Sequence, residues 1–225
     1  MDPSKLAEDF LNSIKTDDFA PLFNTSKNVV SVIQKGRNKT YNVLERSKEI
    51  DEIIARAVRV VRECHNNNSD DVRGVLYMLF RFKEDGDLSS DKIPLYLGKT
   101  SRYGKVKALS SLFNSFNSKP RWDYSKNGNY HLSGLSSMVC FGYKDKDKDT
   151  GKMNWAKSMF QKFPSHTPTL KYKPYLWFMP WTTSDVSIVK ELGYVSLHIE
   201  ELILIDILSK SFPEDLLNKA DTDIK

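Results

Sequence analysis

Two stretches, GVLYMLFRF (74–82) and IPLYLGKT (93–100), decide the fold class of this chain. Both are rich in the β-branched and aromatic residues that are typical of strands. The segment that joins them, KEDGDLSSDK (83–92), carries glycine, aspartate and serine, which favour turns. Two consecutive strands joined by turn residues pair antiparallel by default, so the sequence predicts a β-hairpin at 74–97.

Helical periodicity is present on both sides of this hairpin. Apolar residues recur at helical spacing near the N-terminus and again through 44–64, and a further helix is expected within 106–116. The most apolar segment, 196–211, predicts a buried helix that ends before Pro213. The segment KPYLWFMPW (173–181) is a candidate strand whose prolines favour a sheet edge. Together these patterns predict an α+β fold, a small and mainly antiparallel β-sheet flanked by helices.

The length of 225 residues is sufficient for one large domain or for one domain with an appendage. The polar loop HNNNSDD (65–71) is the best candidate for an internal boundary. We therefore expect an N-terminal helical arm over 1–70 and a main domain over 71–225, with an aromatic-rich insertion around 141–183.

Composition limits the classes of partner and compartment. There are 34 Lys and Arg residues against 29 Asp and Glu, a net charge of +5, which is compatible with a polyanionic partner. No segment approaches the roughly 18 apolar residues of a membrane helix, and the N-terminus lacks the pattern of a secretory signal. Two cysteines form neither a disulfide framework nor a four-ligand zinc site. These features predict an intracellular, cytoplasmic protein without structural metal or membrane contact.

Taken singly, the chemical motifs of the hairpin are weak. Tyr77 and Tyr96 lie on neighbouring predicted strands, where a cross-strand aromatic pair is common without any catalytic role. The triplet GKT (98–100) resembles the end of a phosphate-binding loop. However, Ile93 stands where the full motif requires glycine, so the sequence does not contain a Walker nucleotide-binding motif.

The order and spacing of three features resemble the GIY-YIG nuclease family. GVLY (74–77) stands in place of the first tripeptide and YLG (96–98) in place of the second. The segment EELILI (200–205), followed by Pro213 and Asn218, resembles the closing pattern of the family. The resemblance is close over 74–100 and 196–218 and loose over 101–140, and it is nearest to stand-alone members such as small restriction endonucleases.

The helical pattern alone, without the family resemblance, singles out an acidic residue in the last predicted helix. One predicted helix face carries Leu197, Glu201, Leu204, Ile205 and Leu208. Glu201 interrupts this apolar stripe, and an unpaired buried carboxylate costs on the order of several kcal/mol. A basic side chain or a metal ion must therefore meet it. The resemblance implies that this glutamate holds one Mg²⁺ or another divalent cation. Glu200 remains the alternative, because the helical phase is uncertain.

The cationic group of the site departs from the family pattern. Many members carry an arginine on the helix after the second tripeptide, but 106–116 contains only Lys107 as a basic residue. Arg121 together with His131 is the favoured choice, because both lie among aromatic residues, and Arg102 and Lys107 remain as substitutes.

The resemblance implies a Mg²⁺-dependent DNA endonuclease, such as a restriction or defence enzyme, with the option of a homodimer. Tyr77 or Tyr96 would orient or deprotonate the attacking water, and Arg121 would offset charge on the phosphate. Lys99, Arg102, Lys107 and Asn218 are candidate nucleic-acid contacts. A non-catalytic nucleic-acid-binding or assembly protein on the same fold is the alternative, and the choice between DNA and RNA stays open.

Overall fold

A four-stranded antiparallel sheet with strand order β1-β8-β6-β7 forms the centre of the computed structural model, which describes residues 2–35, 41–103, 109–110, 113, 132–141 and 150–218. The strands are β1 (Phe19–Pro21), β2 (Thr25–Ser26), β3 (Val29–Val30), β4 (Val32–Lys35), β5 (Tyr41–Leu44), β6 (Val72–Phe82), β7 (Lys92–Ser101) and β8 (Tyr175–Thr182). The α-helices are α1 (Pro3–Ser13), α2 (Lys48–Asn66), α3 (Leu132–Val139), α4 (Thr150–Met159) and α5 (Leu197–Ser211), with 3-10 turns at Thr16–Asp18 and Lys190–Leu192. The predicted α+β class, a mainly antiparallel sheet flanked by helices, is confirmed.

The predicted hairpin is also confirmed, and its register places the two tyrosine motifs side by side. β6 pairs antiparallel with β7, with Tyr77 opposite Gly98 and Leu79 opposite Tyr96. On its other side β6 pairs with β8, where Phe178 is the partner of Tyr77. β6 is therefore flanked by strands on both sides, whereas β7 forms one edge of the sheet.

Each face of the sheet has its own apolar core, because successive side chains of a strand point to opposite sides. Leu76 and Met78 of β6 pack in a core that also contains residues of α1 and α5. Tyr77 and Leu79 pack in a second core that contains residues of α2, α3 and α4. We call these two sides the α5 face and the α2 face.

The position of β8 differs in part from the edge position predicted from its prolines. Tyr175–Trp177 lie between β6 and β1, so the edge prediction is wrong for this half of the strand. β1 pairs only with these three residues, and Pro180 lies past its end. At Pro180, β8 therefore pairs with β6 but not with β1. On the β1 side no hydrogen bond is needed from this residue, which has no N–H group to donate.

Segments predicted as peripheral contribute to this sheet. Of residues 1–70, β1 forms one end of the sheet and α2 packs against β6 and β8. Of residues 141–183, α4 joins the core of the α2 face and β8 lies inside the sheet. Both stretches thus supply parts of the central architecture.

The two long helices begin where the sequence offers a capping serine. Ser47 accepts a hydrogen bond from the Ile50 amide at the start of α2, and Ser196 accepts one from the Ile199 amide at the start of α5. α5 is only half buried, because Ile199 and Leu202 are 48% and 45% exposed. The prediction of a buried helix therefore holds for one side of α5 only, the side that packs against the sheet and α1.

The helix predicted within 106–116 is not formed at its described residues. Leu109 makes a β-bridge with Tyr103, and the Ser110 amide donates to the Arg102 carbonyl at 2.7 Å. The other residues of that segment, apart from Phe113, lie outside the described ones.

Within the described ranges, no helix combines the length and the apolar character that crossing a membrane requires. Both cysteines, Cys64 and Cys140, are buried free thiols.

Candidate functional site

Tyr77 and Tyr96 lie side by side on the α2 face. Tyr77 is opposite Gly98, and Tyr96 precedes that glycine by two residues, so both side chains point to the same side of the hairpin. Their ring centroids are 6.1 Å apart and the rings are inclined by 27°, a stacked arrangement. The hairpin therefore brings together the two tyrosines that the sequence singled out.

Gly98 makes room for this pair. A β-carbon at position 98 would lie 2.5 Å from the Tyr77 hydroxyl oxygen and 2.9 Å from Cε1 of Tyr96. Real β-carbons do not approach other atoms so closely, so any larger residue would displace one of the rings. The glycine of the YLG motif is thus explained by packing between the strands.

Neighbouring aromatic rings restrict the two tyrosines further. Phe178 of β8 stacks beside Tyr77 with a centroid distance of 6.1 Å, and Trp155 of α4 contacts Tyr96 at 4.8 Å. Trp155, Trp177 and Trp181 are all buried. These tryptophans therefore pack inside the protein.

Glu201 of α5 meets two groups that can carry positive charge. Its Oε2 lies 3.7 Å from Nζ of Lys99 and 3.5 Å from Nδ1 of His198. Glu201 keeps 17% of its side chain exposed, so it remains accessible from solvent. The sequence required a basic partner or a metal ion for this carboxylate, and the structure supplies a lysine.

The carboxylate and the tyrosine pair are electrostatically linked. Burial raises the pKa of Tyr96, a side-chain hydrogen bond with Tyr77 lowers it, and the charge of Glu201 raises it further. Lys99, opposite Leu76, points to the α5 face, whereas the tyrosines point to the α2 face. We call Tyr77, Tyr96, Lys99, His198 and Glu201 the tyrosine–glutamate cluster. The members of this cluster lie on both sides of the edge strand β7. The two rings are on the α2 face, and the charged groups are on the side of the α5 face.

The structure distinguishes the two adjacent glutamates. Glu200 is only 2% exposed, and its Oε1 accepts a hydrogen bond from the Ile188 amide at 3.0 Å. Burial raises the pKa of Glu200, while hydrogen bonds from Ile188 and Ser187 oppose that rise. Glu200 thus binds the backbone of the loop before α5. Glu201 is the glutamate that lies beside Lys99 and whose charge raises the pKa of Tyr96.

Glu201 is the one residue of the cluster with a carboxylate to offer a divalent cation. Glu201 offers a partly exposed carboxylate, and Mg²⁺ is commonly bound by one or two carboxylates with several retained waters. No group of three or more histidine, cysteine, aspartate or glutamate side chains suited to a metal occurs among the described residues. Within the described ranges, Glu201 is thus the single carboxylate that the cluster offers to a metal ion, and the Mg²⁺ site stays a prediction.

Asn218 binds the backbone of the strand that carries Tyr96. Its Nδ2 donates to the Leu97 carbonyl at 2.6 Å, and its Oδ1 accepts from the Leu97 amide at 3.1 Å. The Leu217 amide donates to the Leu95 carbonyl at 2.8 Å. These bonds fasten the segment after α5 to the open edge of β7. The Asn218 amide is therefore engaged in positioning this segment beside the tyrosine strand.

Arg102 is buried away from the tyrosine pair. Its Nη1 donates to the Ser69 carbonyl, to Cys64 Sγ at 3.1 Å and to the Val72 carbonyl at 3.3 Å. The guanidinium also lies 4.7 Å from the ring centroid of Tyr103. It ties the end of β7 to the loop after α2, so we do not include it in the candidate site.

The favoured cationic residues Arg121 and His131 lie outside the described residues, as does Lys107.

Sequence reasoning did not assign a role to His198. Its spacing of three residues from Glu201 on one helix was the available signal, because residues at this spacing are neighbours on a helix surface.

Comparison with known proteins finds no family model, no curated protein and no solved structure that matches this chain. The chemistry of the tyrosine–glutamate cluster is therefore the basis on which a function can be proposed.

Proposed function

We propose that this chain is a metal-dependent DNA endonuclease that hydrolyses phosphodiester bonds, of the restriction or defence type. The observation that carries the proposal is the stacked pair of Tyr77 and Tyr96 on the hairpin, with Glu201 paired to Lys99 of the same strand as Tyr96. This cluster combines hydroxyl groups, a carboxylate and a lysine, which are groups that can orient water and bind a phosphate.

In this proposal the tyrosines orient the attacking water through their protonated hydroxyl groups. The pKa of Tyr96 is raised above its ordinary value, chiefly by burial, so its phenol is protonated at neutral pH. A protonated phenol can hold the attacking water by hydrogen bonds. It becomes a useful base only when added positive charge lowers its pKa again. The hydrogen bond with Tyr77 acts in that direction.

Glu201 would hold the divalent cation. When bound, Mg²⁺ supplies Lewis-acid stabilisation of the phosphate and of the leaving oxygen. Without an ion, Lys99 neutralises the carboxylate from 3.7 Å. The tyrosines and the charged groups belong to opposite faces of β7, and the segment after α5 bonds to the edge of β7 at Leu95 and Leu97. A phosphate that meets both sets would therefore have to bind past this segment.

The net charge of +5 supports binding to a polyanion. Lys99 is a candidate phosphate contact, since it is only partly buried. Arg121 and His131 remain the proposed cationic group, with Lys107 as a substitute. A homodimer would allow both strands of a palindromic site to be cut, and the cytoplasm is the proposed location.

The proposal is tested by incubating the purified chain with supercoiled plasmid and with mixed genomic DNA, in Mg²⁺ and in EDTA. Discrete fragments that require Mg²⁺ would establish a specific endonuclease. Nicking or smearing would retain the hydrolytic chemistry but contradict the restriction role. Absence of cleavage across both DNAs would contradict the proposed activity.

A non-catalytic nucleic-acid-binding or assembly protein is the second candidate. It is favoured by the ion pair that Glu201 already makes with Lys99, since a carboxylate satisfied within the fold needs no metal. A salt-sensitive mobility shift without cleavage would support this candidate, because phosphate contacts release counterions.

A further inference from the structure

Large apolar side chains are exposed in the loop before α5 and on the first turns of α5 itself. Tyr194 is 70% exposed, and Val186 and Leu192 of the same loop are also exposed. Ile199 and Leu202 of α5 are exposed as well. We call these five residues the α5 apolar patch. Soluble proteins rarely expose large apolar side chains together unless another surface covers them.

The loop and the helix that carry the patch are fastened to each other. The carboxylate of Glu200, in the first turn of α5, accepts a hydrogen bond from the Ile188 amide of the loop at 3.0 Å. Val186 and Tyr194 form a β-bridge that closes the loop. Ile199 and Leu202 are three residues apart and are therefore neighbours on the helix surface. The patch is thus a surface that the fold holds in place.

The other side of α5 is already occupied. Leu197, Leu204 and Leu208 of the helix are buried where it packs against α1, β6 and β7. Ile199 and Leu202 turn away from this core. In the described part of the chain, no further helix or strand makes extensive contact with α5. The exposed side of the helix is therefore open to a partner.

The charges around the patch have both signs. Lys190 and Glu191 are exposed in the loop, and Asp206 and Lys210 lie at the surface further along α5. A second copy with its α5 antiparallel would bring Lys190 toward the partner's Asp206 and Glu191 toward the partner's Lys210. Opposite charges would then meet at both ends of the contact. The dipoles of two antiparallel helices also attract each other.

Other occupants are less complementary to this surface. A nucleic acid or an anionic membrane would face the carboxylates of Glu191 and Asp206, and a strongly acidic or basic protein would meet like charges. A two-fold contact between identical chains requires a surface that is complementary to itself. An apolar centre with one acid and one base at each end satisfies that requirement.

We propose that the α5 apolar patch is the contact surface of a homodimer in which the α5 helices of two copies pack antiparallel. The two-fold axis passes between Ile199 and Leu202, so Ile199 of one copy meets Leu202 of the other. Tyr194 and Leu192 extend the contact on the loop side. The interface gives a surface to the homodimer of the proposed function, but it does not depend on nuclease activity.

The test is sedimentation velocity of the full chain at increasing concentration. We expect the mass to rise to twice that of the monomer by about 100 μM. Leu202→Glu places a charge in the apolar centre and should weaken self-association by at least about tenfold. Circular dichroism checks that this variant is folded. Plasmid cleavage is measured on the same samples, so that failure of the nuclease proposal is seen separately.

The matched control is Val60→Glu. Val60 is an exposed apolar residue of α2, the helix that packs against the opposite face of the sheet, so the same substitution there should leave self-association unchanged. Cross-linking gives a second comparison that does not rely on disruption. A short bis-maleimide should join two copies of Leu202→Cys but not of Val60→Cys, because both native cysteines are buried.

Four results would overturn the proposal. The first is a chain that stays monomeric up to about 100 μM. The second is self-association that is undiminished in folded Leu202→Glu, and the third is equal cross-linking of the two cysteine variants. The fourth is a monomer that binds phosphatidylglycerol vesicles and loses this binding in Leu202→Glu, which would assign the patch to a membrane surface instead of a second copy.

Discussion

The hydroxyl oxygen of Tyr77 lies over the backbone of Gly98, only 2.5 Å from where a β-carbon of that residue would stand. Gly98 is opposite Tyr77 in the hairpin register, so the absence of a side chain leaves space for the phenol ring. The two strand motifs are therefore joined by packing as well as by sequence order. The same contact makes the tyrosine pair sensitive to a single added methyl group.

Replacing Gly98 by alanine is expected to destabilise the fold by about 1–3 kcal/mol, because the new methyl group must displace the Tyr77 ring. Urea unfolding of Gly98→Ala measures this loss. In a Tyr77→Ala background the same substitution should cost much less, since the obstructing ring is gone. An equal cost in both backgrounds would show that the steric contact is not the cause.

Arg102 is expected to matter for stability. Replacing it by methionine leaves buried acceptors around Cys64 and Ser69 without their donor, at a cost of about 2–3 kcal/mol in unfolding free energy. The matched control is Arg73→Met, because Arg73 is 48% exposed and pairs at the surface with Asp70, which also lies 3.8 Å from Arg102. Similar unfolding midpoints for both variants would contradict the structural role of Arg102.

Asn218 is expected to hold the edge of β7. Asn218→Ala removes both hydrogen bonds with Leu97 and should lower the unfolding free energy by about 1–2 kcal/mol. Amide exchange at Leu97 should accelerate, because its N–H loses its acceptor. Unchanged exchange at Leu97 in this variant would contradict the contact.

Cys140 is expected to resist alkylation in the folded chain. Burial raises the pKa of its thiol to about 12, so near pH 8 only about one molecule in ten thousand carries the reactive thiolate. The thiol is also 3% exposed. Mass spectrometry after iodoacetamide treatment should show modification of Cys140 only after unfolding in urea. Equally rapid labelling of the native chain would contradict this environment.

The parts of the fold that local patterns specify were predictable. β6, β7 and α2 each have enough residues for their periodicity to be clear. The glycine, aspartate and serine residues of 83–92 favour the turn that joins β6 to β7. The β1–β8 pairing was not predictable, because it joins Phe19–Pro21 to Tyr175–Trp177 across most of the chain. A strand of three residues carries too little periodicity to be recognised alone.

The candidate site was predictable to a similar extent. The proximity of Tyr77 to Tyr96 follows from the hairpin, whose register sets both side chains on one face. The choice between Glu200 and Glu201 required coordinates, since adjacent helical residues differ by about 100° in direction.

The most direct test of the central claim is the rate of Mg²⁺-dependent plasmid cleavage by Glu201→Gln beside that of Asp206→Asn. Asp206 lies on the same helix but pairs with Lys210 at the surface, so it controls for loss of charge on α5. The account predicts a fall of at least about 100-fold for Glu201→Gln and little change for Asp206→Asn. Undiminished cleavage by Glu201→Gln, or an equal fall in both variants, would contradict the role of Glu201.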